Sequence, residues 1–175
     1  TRWYAFSIKF DETFPTSHTT IGWEAFLSWK GCTVSPYAEY GSNVIGFGWG
    51  LVETGGWVNG EWYLLYNPQS APLEYDDAAR PILAFPLNRG QWHDIKMRAT
   101  WEQDHTGTLQ IWRNGQRQTF NEFGGGTQTF TGQTVCGGTP TGVMVHQGIY
   151  RQTGAGYGRV GTTGATEITN FKNFR

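Results

Sequence analysis

Strict alternation of apolar and polar side chains is the feature that most limits the fold of this chain. In the stretch DIKMRATW, residues 94–101, every second side chain is apolar, namely Ile95, Met97, Ala99 and Trp101. A period of two residues places these side chains on one face of an extended strand and the polar ones on the other. The stretch therefore predicts a strand with one buried face, and no stretch of ten or more residues has the pattern of a helix.

Similar stretches recur along the chain and predict the fold class. Strands are predicted at 2–10, 44–51, 61–66, 81–85, 94–101 and 166–174, with a hairpin at 106–120. The hairpin turn is Asn114-Gly115, which suits type I′ because both central residues need positive φ. Many short strands predict one domain, residues 1–175, built as an all-β antiparallel β-sandwich of jelly-roll type.

Three segments between these strands are predicted to be irregular. The Gly-rich stretches 123–134 and 151–166 are interpreted as long surface loops. The stretch DDAAR, residues 76–80, could form a single helical turn before Pro81 stops it.

Composition excludes two classes of partner. The 175 residues carry 13 Lys and Arg against 14 Asp and Glu, so no basic field is present to hold a nucleic acid. No apolar run approaches the roughly 20 residues that cross a bilayer, so no membrane partner is expected either. The chain starts at Thr1 without Met, which is expected of a mature or excised piece of a longer product.

Cysteines and acidic clusters leave the question of metals and disulfides open. Cys32 and Cys136 either form a disulfide, worth about 4–5 kcal/mol for a loop of roughly a hundred residues, or stay free thiols. Their spacing fits no zinc site. Glu74, Asp76 and Asp77 could bind a structural calcium ion or be solvated turn charges. No catalytic metal and no cofactor is expected.

Residues 143–151 place unusual chemistry on one strand face. Alternation puts His146, Gly148 and Tyr150 on the same face, with Arg151 just beyond and Gln147 on the opposite face. An imidazole, a bare glycine and a phenol in line could form a ligand-binding wall. The alternative is structural, with the Tyr150 hydroxyl bound to a neighbouring backbone group.

Nine tryptophans exceed what a core of this size requires. Trp packs flat against the C–H face of a pyranose ring while its N–H can still donate a hydrogen bond. Trp49, Trp57 and Trp62 lie within fourteen residues of one another and are predicted to form an exposed sugar-binding patch. The other tryptophans are expected mainly in the core.

Three stretches resemble one family. The segment RGQWHDIKMRATWEQDHTGTLQIWRNGQ, residues 89–116, is similar to the strand–hairpin–strand segment of the jelly-roll polysaccharide lyases of the glucuronan and heparin lyase type. RWYAFSIKF resembles the strand that opens their sheet, and HQGIYR resembles their Lys-x-Gly-x-Tyr strand. The resemblance implies a concanavalin A-like jelly roll whose concave sheet includes residues 143–151. It makes His93 part of the hairpin that defines the fold, with a structural role.

The resemblance also implies roles for named residues. Tyr150 would be the catalytic acid and base, and donors around it would neutralise the uronic carboxylate so that the C5 proton becomes acidic. His146 stands where the family has Lys, and Ser28 and Lys30 of SWKG stand where it has Gln and His. The catalytic set would be Tyr150, His146 and Lys30. Substrate-binding side chains are expected at these positions: Arg151, Ser28, Gln147, Trp49, Trp57 and Trp62.

Three functions follow as hypotheses. The first is a secreted or extracellular glycan-recognition module that binds a polysaccharide, acidic or neutral, on the concave sheet with an incomplete catalytic set. The second is an active β-eliminating lyase on a uronic-acid polymer. The third is a structural subunit of a virion or cell-surface assembly, in which copies of the chain form a homo-oligomer through buried aromatic side chains.

Overall fold

The computed structural model describes residues 1–14, 16, 22–30, 43–51, 60–66, 80–121, 126–135, 143–151 and 169–172. These residues form eleven strands and no helix. The strands are β1 (Arg2–Phe10), β2 (Gly22–Lys30), β3 (Asn43–Leu51), β4 (Glu61–Tyr66), β5 (Arg80–Pro86), β6 (Trp92–Thr100), β7 (Gly107–Arg113), β8 (Gln116–Arg117), β9 (Phe130–Gly132), β10 (Met144–Arg151) and β11 (Thr169–Lys172). No described segment provides a helix of the length and apolarity needed to cross a membrane.

Two antiparallel sheets contain all eleven strands. One sheet has six strands in the order β11-β1-β6-β7-β8, with β9 also paired to β7. The other has five strands in the order β10-β2-β3-β4-β5. The last two strands pair with the first two. β10 is hydrogen-bonded to β2 in one sheet, and β11 to β1 in the other. The predicted all-β antiparallel jelly roll is confirmed.

Aromatic side chains fill the space between the two sheets. Phe10 of the six-stranded sheet lies 5.3 Å from the ring of Phe26 and 5.5 Å from that of Trp62, both in the five-stranded sheet. Trp62 in turn stacks on Phe85 with ring centroids 4.6 Å apart. Each buried large side chain of this kind contributes about 1.5–3 kcal/mol through its removal from water.

The hairpin turn predicted from Asn114-Gly115 is confirmed. Asn114 has φ of 51° and Gly115 has φ of 79°, so both take the left-handed conformation that a type I′ turn requires. The Asn114 side chain also contributes, because its Oδ1 accepts a hydrogen bond of 2.8 Å from the backbone N–H of Asp94. The turn thereby fixes the register between β6 and β7.

The prediction of a surface loop over 123–134 is wrong at its C-terminal end. Residues Phe130–Gly132 form β9, and the Phe130 ring is buried against Tyr66 at 4.7 Å. A Cβ on Gly132 would lie 2.9 Å from the Phe130 ring, so this glycine permits close packing rather than a flexible loop. Sequence alone does not separate these two uses of glycine.

Several other predictions fall on residues that the structure does not describe. They concern Cys32, Cys136, the acidic cluster at Glu74, Asp76 and Asp77, and the loop at 152–166. The proposed helical turn at 76–79 also lies outside the described residues, and position 80 already belongs to β5.

His93 lies in the core, as its assignment to the hairpin predicts. Its side chain is 1% exposed, between the rings of Phe10 and Trp62 at 6.0 and 5.5 Å. Among the described residues, neither ring nitrogen has a partner at hydrogen-bonding geometry. Burial lowers the pKa of His93, and the positive charge of Arg113 lowers it further, against smaller opposing effects of the backbone at Asn88 and of the Asp94 carboxylate. The folded protein therefore favours the neutral imidazole.

We expect this histidine to make folding stability depend on pH. The folded pKa lies below the unfolded value near 6.5, so the unfolded chain binds the proton more readily. Stability is then full above about pH 6.5 and falls as the pH drops toward the folded pKa, by up to about 1.4 kcal/mol per pH unit. Urea unfolding across this range should show that slope.

Replacement of the imidazole tests its cause. His93→Phe should flatten the slope, since a phenyl ring suits the neighbouring rings and carries no proton. His105→Gln, which removes an exposed histidine from the loop after β6, is the matched control. An unchanged slope in His93→Phe would contradict the assignment.

Candidate functional site

The strand that carries the predicted catalytic tyrosine lies beside the strand that carries its predicted helpers. β10 pairs with β2 at the edge of the five-stranded sheet, with His146 directly opposite Ser28 and Tyr150 opposite Ala25. Directly paired positions on antiparallel strands are about 4.5–5.5 Å apart. The register therefore brings positions 28, 146 and 150 into one part of the sheet, although position 28 is far from the other two in the sequence.

Both strands have a register shift at this place. The shift in β10 falls between Gln147 and Tyr150, and that in β2, against β3, falls between Ala25 and Leu27. In β2 the adjacent residues Phe26 and Leu27 both have their side chains in the core, so the regular alternation of side chains between the two faces is interrupted there. Ser28 therefore lies on the outer face. Bulges bend a strand and re-aim side chains, and they are frequent beside functional sites.

Two buried glycines leave the centre of this outer face without side chains. Gly46 of β3 is in register with Ser28 on one side and Leu65 of β4 on the other. Gly48 occupies the equivalent place one row along, between Ala25 and Tyr63. The two glycines lie about 7 Å apart along the strand. We call the outer-face positions 25, 28, 46, 48, 63 and 65 the glycine floor.

Core packing on the other side of β3 holds the glycine floor in place. Phe47 lies between the two glycines in sequence and points into the core, where its ring is 5.4 Å from Phe6 of the opposite sheet. Side chains of adjacent residues point to opposite faces of a strand, so an inward Phe47 sets Gly46 and Gly48 outward. A Cβ on Gly46 would meet the Cβ of Ser28 and the carbonyl oxygen of Leu27 at 3.4 Å.

Two residues of the glycine floor, Tyr63 and Leu65, were not predicted as site residues. They are 1% and 6% exposed and, with Ala84, form a small apolar cluster separate from the main core. The Tyr63 hydroxyl donates a hydrogen bond of 3.2 Å to Oε2 of Glu61 on the same face of β4. The signal was present in EWYLLY, because a strand whose two faces are both apolar must be covered on both sides.

Burial makes the glycine floor a low-dielectric surface. Ser28 is 4% exposed and Tyr63 1%, so neither is in contact with bulk water to any extent. Hydrogen bonds and charges act more strongly where water is excluded. Among the described residues, no group of three or more His, Cys, Asp or Glu side chains could hold a metal ion.

The remaining predicted site residues take different places. Gln147 is exposed on β10, opposite Leu27 of β2. Lys30 pairs with Met144, and position 24, a glutamate, pairs with both Arg151 and Trp49. Trp57 lies outside the described residues.

Trp62 requires a correction. It was predicted in an exposed sugar-binding patch, but its ring is fully buried between the sheets and stacks on Phe85. A ring with no accessible face cannot receive a sugar, so Trp62 is a core residue. Alternation within β4 explains this, because Trp62, Leu64 and Tyr66 share the inward face.

Comparison with known proteins identifies the family. The model of the family described as polysaccharide lyase matches residues 1–175, so the chain belongs to the polysaccharide lyase family. The resemblance noted in the sequence is confirmed. No curated protein matches the sequence significantly.

Two solved structures are similar to this one. The endo-β-1,4-glucuronan lyase from the fungus Trichoderma reesei has a TM-score of 0.55 at 15% identity, over 98% of this chain and 66% of that chain. The alginate lyase AlyC3 has a TM-score of 0.49 at 11% identity, over 99% of this chain and 63% of that chain. The chain thus spans just under two thirds of the length of each. At 15% identity, the comparison with the glucuronan lyase establishes the fold alone.

A pair of substitutions distinguishes a glycine that close packing requires from a glycine that keeps a surface free of side chains. Gly46→Ala should keep or raise stability by about 0.5–1 kcal/mol, because the new Cβ makes ordinary contacts and alanine has less freedom to lose on folding. Gly107→Ala should destabilise by about 1–3 kcal/mol, because its Cβ would lie 2.7 Å from the carbonyl oxygen of Gly132.

Urea unfolding of both variants measures the difference. Equal destabilisation by the two changes would mean that the fold itself needs glycine at position 46. The predicted result would mean that glycine at position 46 serves to keep the surface beside Ser28 free of a side chain.

Proposed function

We propose that this protein is a polysaccharide-binding member of the lyase family, which holds a uronic-acid polymer across the glycine floor. The observation that carries the proposal is the register that sets His146 opposite Ser28 and Tyr150 opposite Ala25, next to the side-chain-free backbone at Gly46. The chain matches the family along residues 1–175. A strand without side chains lets a flat pyranose ring approach the sheet closely.

The sequence along the edge of the sheet favours an acidic polymer. Lys30 lies on β2 and Arg151 on β10, so cationic residues are present on both strands beside the glycine floor. The similar fungal protein is, by its name, a lyase of a β-1,4-linked glucuronan. An arginine or lysine can bind a uronic carboxylate through a charge-assisted hydrogen bond.

We infer that binding proceeds without efficient elimination. β-Elimination removes the C5 proton, breaks the bond between C4 and the glycosidic oxygen, forms a C4–C5 double bond and returns a proton to the leaving oxygen. The developing carbanion needs a neutralised carboxylate beside it. Ser28 offers one hydroxyl donor where the family has the amide of Gln, and Lys30 as a cation cannot accept a proton where the family has His.

Active elimination is the second candidate, and the strand register favours it. Tyr150 pairs with Ala25 and His146 with Ser28, so the two residues of β10 to which the resemblance gives catalytic roles both lie beside β2. A phenol has an ordinary pKa near 10, so Tyr150 would serve as a base only with cationic or donor groups close to its oxygen. His146, Lys30 and Arg151 would have to provide them.

The place of action follows from the ligand. Uronic-acid polymers are too large to enter a cell intact, so a protein that binds them acts where they occur. We therefore propose a secreted or extracellular location.

Binding is tested with glucuronan in affinity gel electrophoresis. The wild-type protein should be retarded by glucuronan more than by a neutral β-1,4-glucan of similar length. Gly46→Val should weaken binding at least about tenfold, equivalent to about 1.4 kcal/mol, because its branched side chain covers the backbone that the sugar approaches. Gly46→Ala should have a smaller effect. Equal retardation of wild type and Gly46→Val would overturn the assignment of the site.

Elimination is tested with the same polymer by the ultraviolet absorbance of the unsaturated product. We expect no product above the protein-free control, while binding of Tyr150→Phe stays as in the wild type. Product that forms with the wild type and disappears with Tyr150→Phe would replace the binding proposal by the lyase. Product that persists in Tyr150→Phe would contradict both assignments of this tyrosine.

A further inference from the structure

The outer face of the six-stranded sheet carries a pair of tryptophans, Trp3, which is exposed, and Trp112, which is half-buried. Trp3 of β1 is 51% exposed and is the one large apolar side chain among the described residues with such exposure. Its ring centroid is 5.4 Å from that of Trp112 on β7, with the planes tilted by 36°. Strand β6 lies between β1 and β7, so the two rings meet above it. The function proposed above uses neither ring.

Cationic side chains surround the two rings. Lys96 of β6 places its Nζ 4.5 Å from the Trp3 centroid and 5.9 Å from the Trp112 centroid. The guanidinium of Arg117 lies 5.6 Å from the Trp112 ring, and that of Arg98 lies 5.9 Å from the Trp3 ring. We call Trp3, Lys96, Trp112 and Arg117 the tryptophan platform. Cation–π contacts hold each charge near a ring and leave its hydrogen-bonding capacity largely unused.

Charge on this sheet differs in sign from that of the whole chain. The outer faces of β1, β6, β7 and β8 carry one carboxylate, Asp94, against four cations: Lys9, Lys96, Arg98 and Arg117. The complete chain nevertheless has a net charge of −1. None of Lys96, Arg98 and Arg117 pairs with a carboxylate among the described residues, and the Asp94 carboxylate accepts a hydrogen bond of 2.5 Å from Ser7. The surface around the rings therefore attracts anions.

A depression adjoins the tryptophan platform. It has a volume of about 580 Å³ and is lined on the outer face by Ala5, Ser7, Asp94, Lys96, Trp112 and Gly115. Ala5 is in register with Lys96, and Lys96 with Trp112. A small side chain, a cation and an indole ring therefore follow one another on three neighbouring strands. A sugar residue stacked on a ring here would have a cation on one side and hydroxyl and carboxylate acceptors on the other.

We propose that the tryptophan platform is a second binding surface for an acidic polysaccharide, on the opposite sheet from the glycine floor. This inference rests on the proposed function, since it assigns the same class of polymer to both faces. The exposed indole ring of Trp3 suits the C–H face of a pyranose ring, and Lys96 and Arg117 suit uronic carboxylates. A single-stranded nucleic acid would also stack and pair with cations, but the chain as a whole lacks the basic field that such binding needs.

Two surfaces on opposite sheets predict a dependence on polymer length. A short oligosaccharide occupies one surface at a time. A long polymer can engage both, and the second contact then benefits from a high effective concentration. The tryptophan platform should therefore raise the affinity for long chains and leave the affinity of the glycine floor for oligosaccharides unchanged.

The test compares matched variants in gels that contain long glucuronan. Trp3→Ala and Lys96→Gln should lower retention about three- to tenfold, and Trp3→Phe should lower it less because a ring remains. Lys9→Gln is the matched control, because Lys9 lies on the same sheet with its Nζ 5.6 Å from the Trp92 ring but outside the platform. Equal losses with Lys9→Gln and Lys96→Gln would reduce the effect to net charge and overturn the proposal, as would wild-type retention by Trp3→Ala.

Two further measurements separate this proposal from the one before it. In a Gly46→Val background the tryptophan platform should still give weak retention, which Trp3→Ala should abolish. If Gly46→Val has no effect but Trp3→Ala does, the glycine floor fails and the platform stands. If Gly46→Val alone has an effect, the platform fails. Stronger retention by single-stranded DNA than by glucuronan, lost in Trp3→Ala, would overturn the assignment of a polysaccharide.

Discussion

The aromatic contact between the two sheets is the interaction on which the rest of the structure depends. Phe47 of β3 lies 5.4 Å from Phe6 across the sandwich and 5.7 Å from Trp62 within its own sheet. Because a strand's side chains alternate, the burial of Phe47 sets Gly46 and Gly48 on the outer face. The burial of Phe6 sets Ala5 and Ser7 outward on the other sheet in the same way. One packed layer thus fixes the residues that each outer surface presents.

The two outer surfaces differ in chemistry for reasons that lie in their strands. The five-stranded sheet has the glycine floor, which lacks side chains at its two glycines and is shielded from water. Ser28 and Tyr63 lie beside these glycines. The six-stranded sheet presents rings and cations in solvent, with Trp3 half exposed and Lys96 above it. A shielded surface favours close, directional contacts, whereas an exposed cationic surface favours capture of a charged polymer. The two proposals for this protein reflect that difference.

Much of the fold could be predicted from the sequence, because alternation acts locally. The stretch at 94–101 and the turn at Asn114-Gly115 are each determined by a few neighbouring residues. The structure contains both the strand and the left-handed turn. Phe130–Gly132 was taken for a loop because its glycine and threonine are also typical of loops. It forms a strand because Phe130 packs against Tyr66, which is 64 residues away in the sequence. Trp62 was misplaced for the same reason, since its stacking partner Phe85 belongs to another strand.

The candidate site divides in a similar way. The sequence by itself determined the strand character of 144–151 and the resemblance to the polysaccharide lyases, because these depend on residue order alone. Only the tertiary structure decided that position 146 lies opposite Ser28, that Gly46 separates Ser28 from Leu65, and that Trp3 meets Trp112. Strand pairing and sheet packing join residues that are distant in the chain, and their registers depend on bulges and on side-chain fit across the whole sandwich.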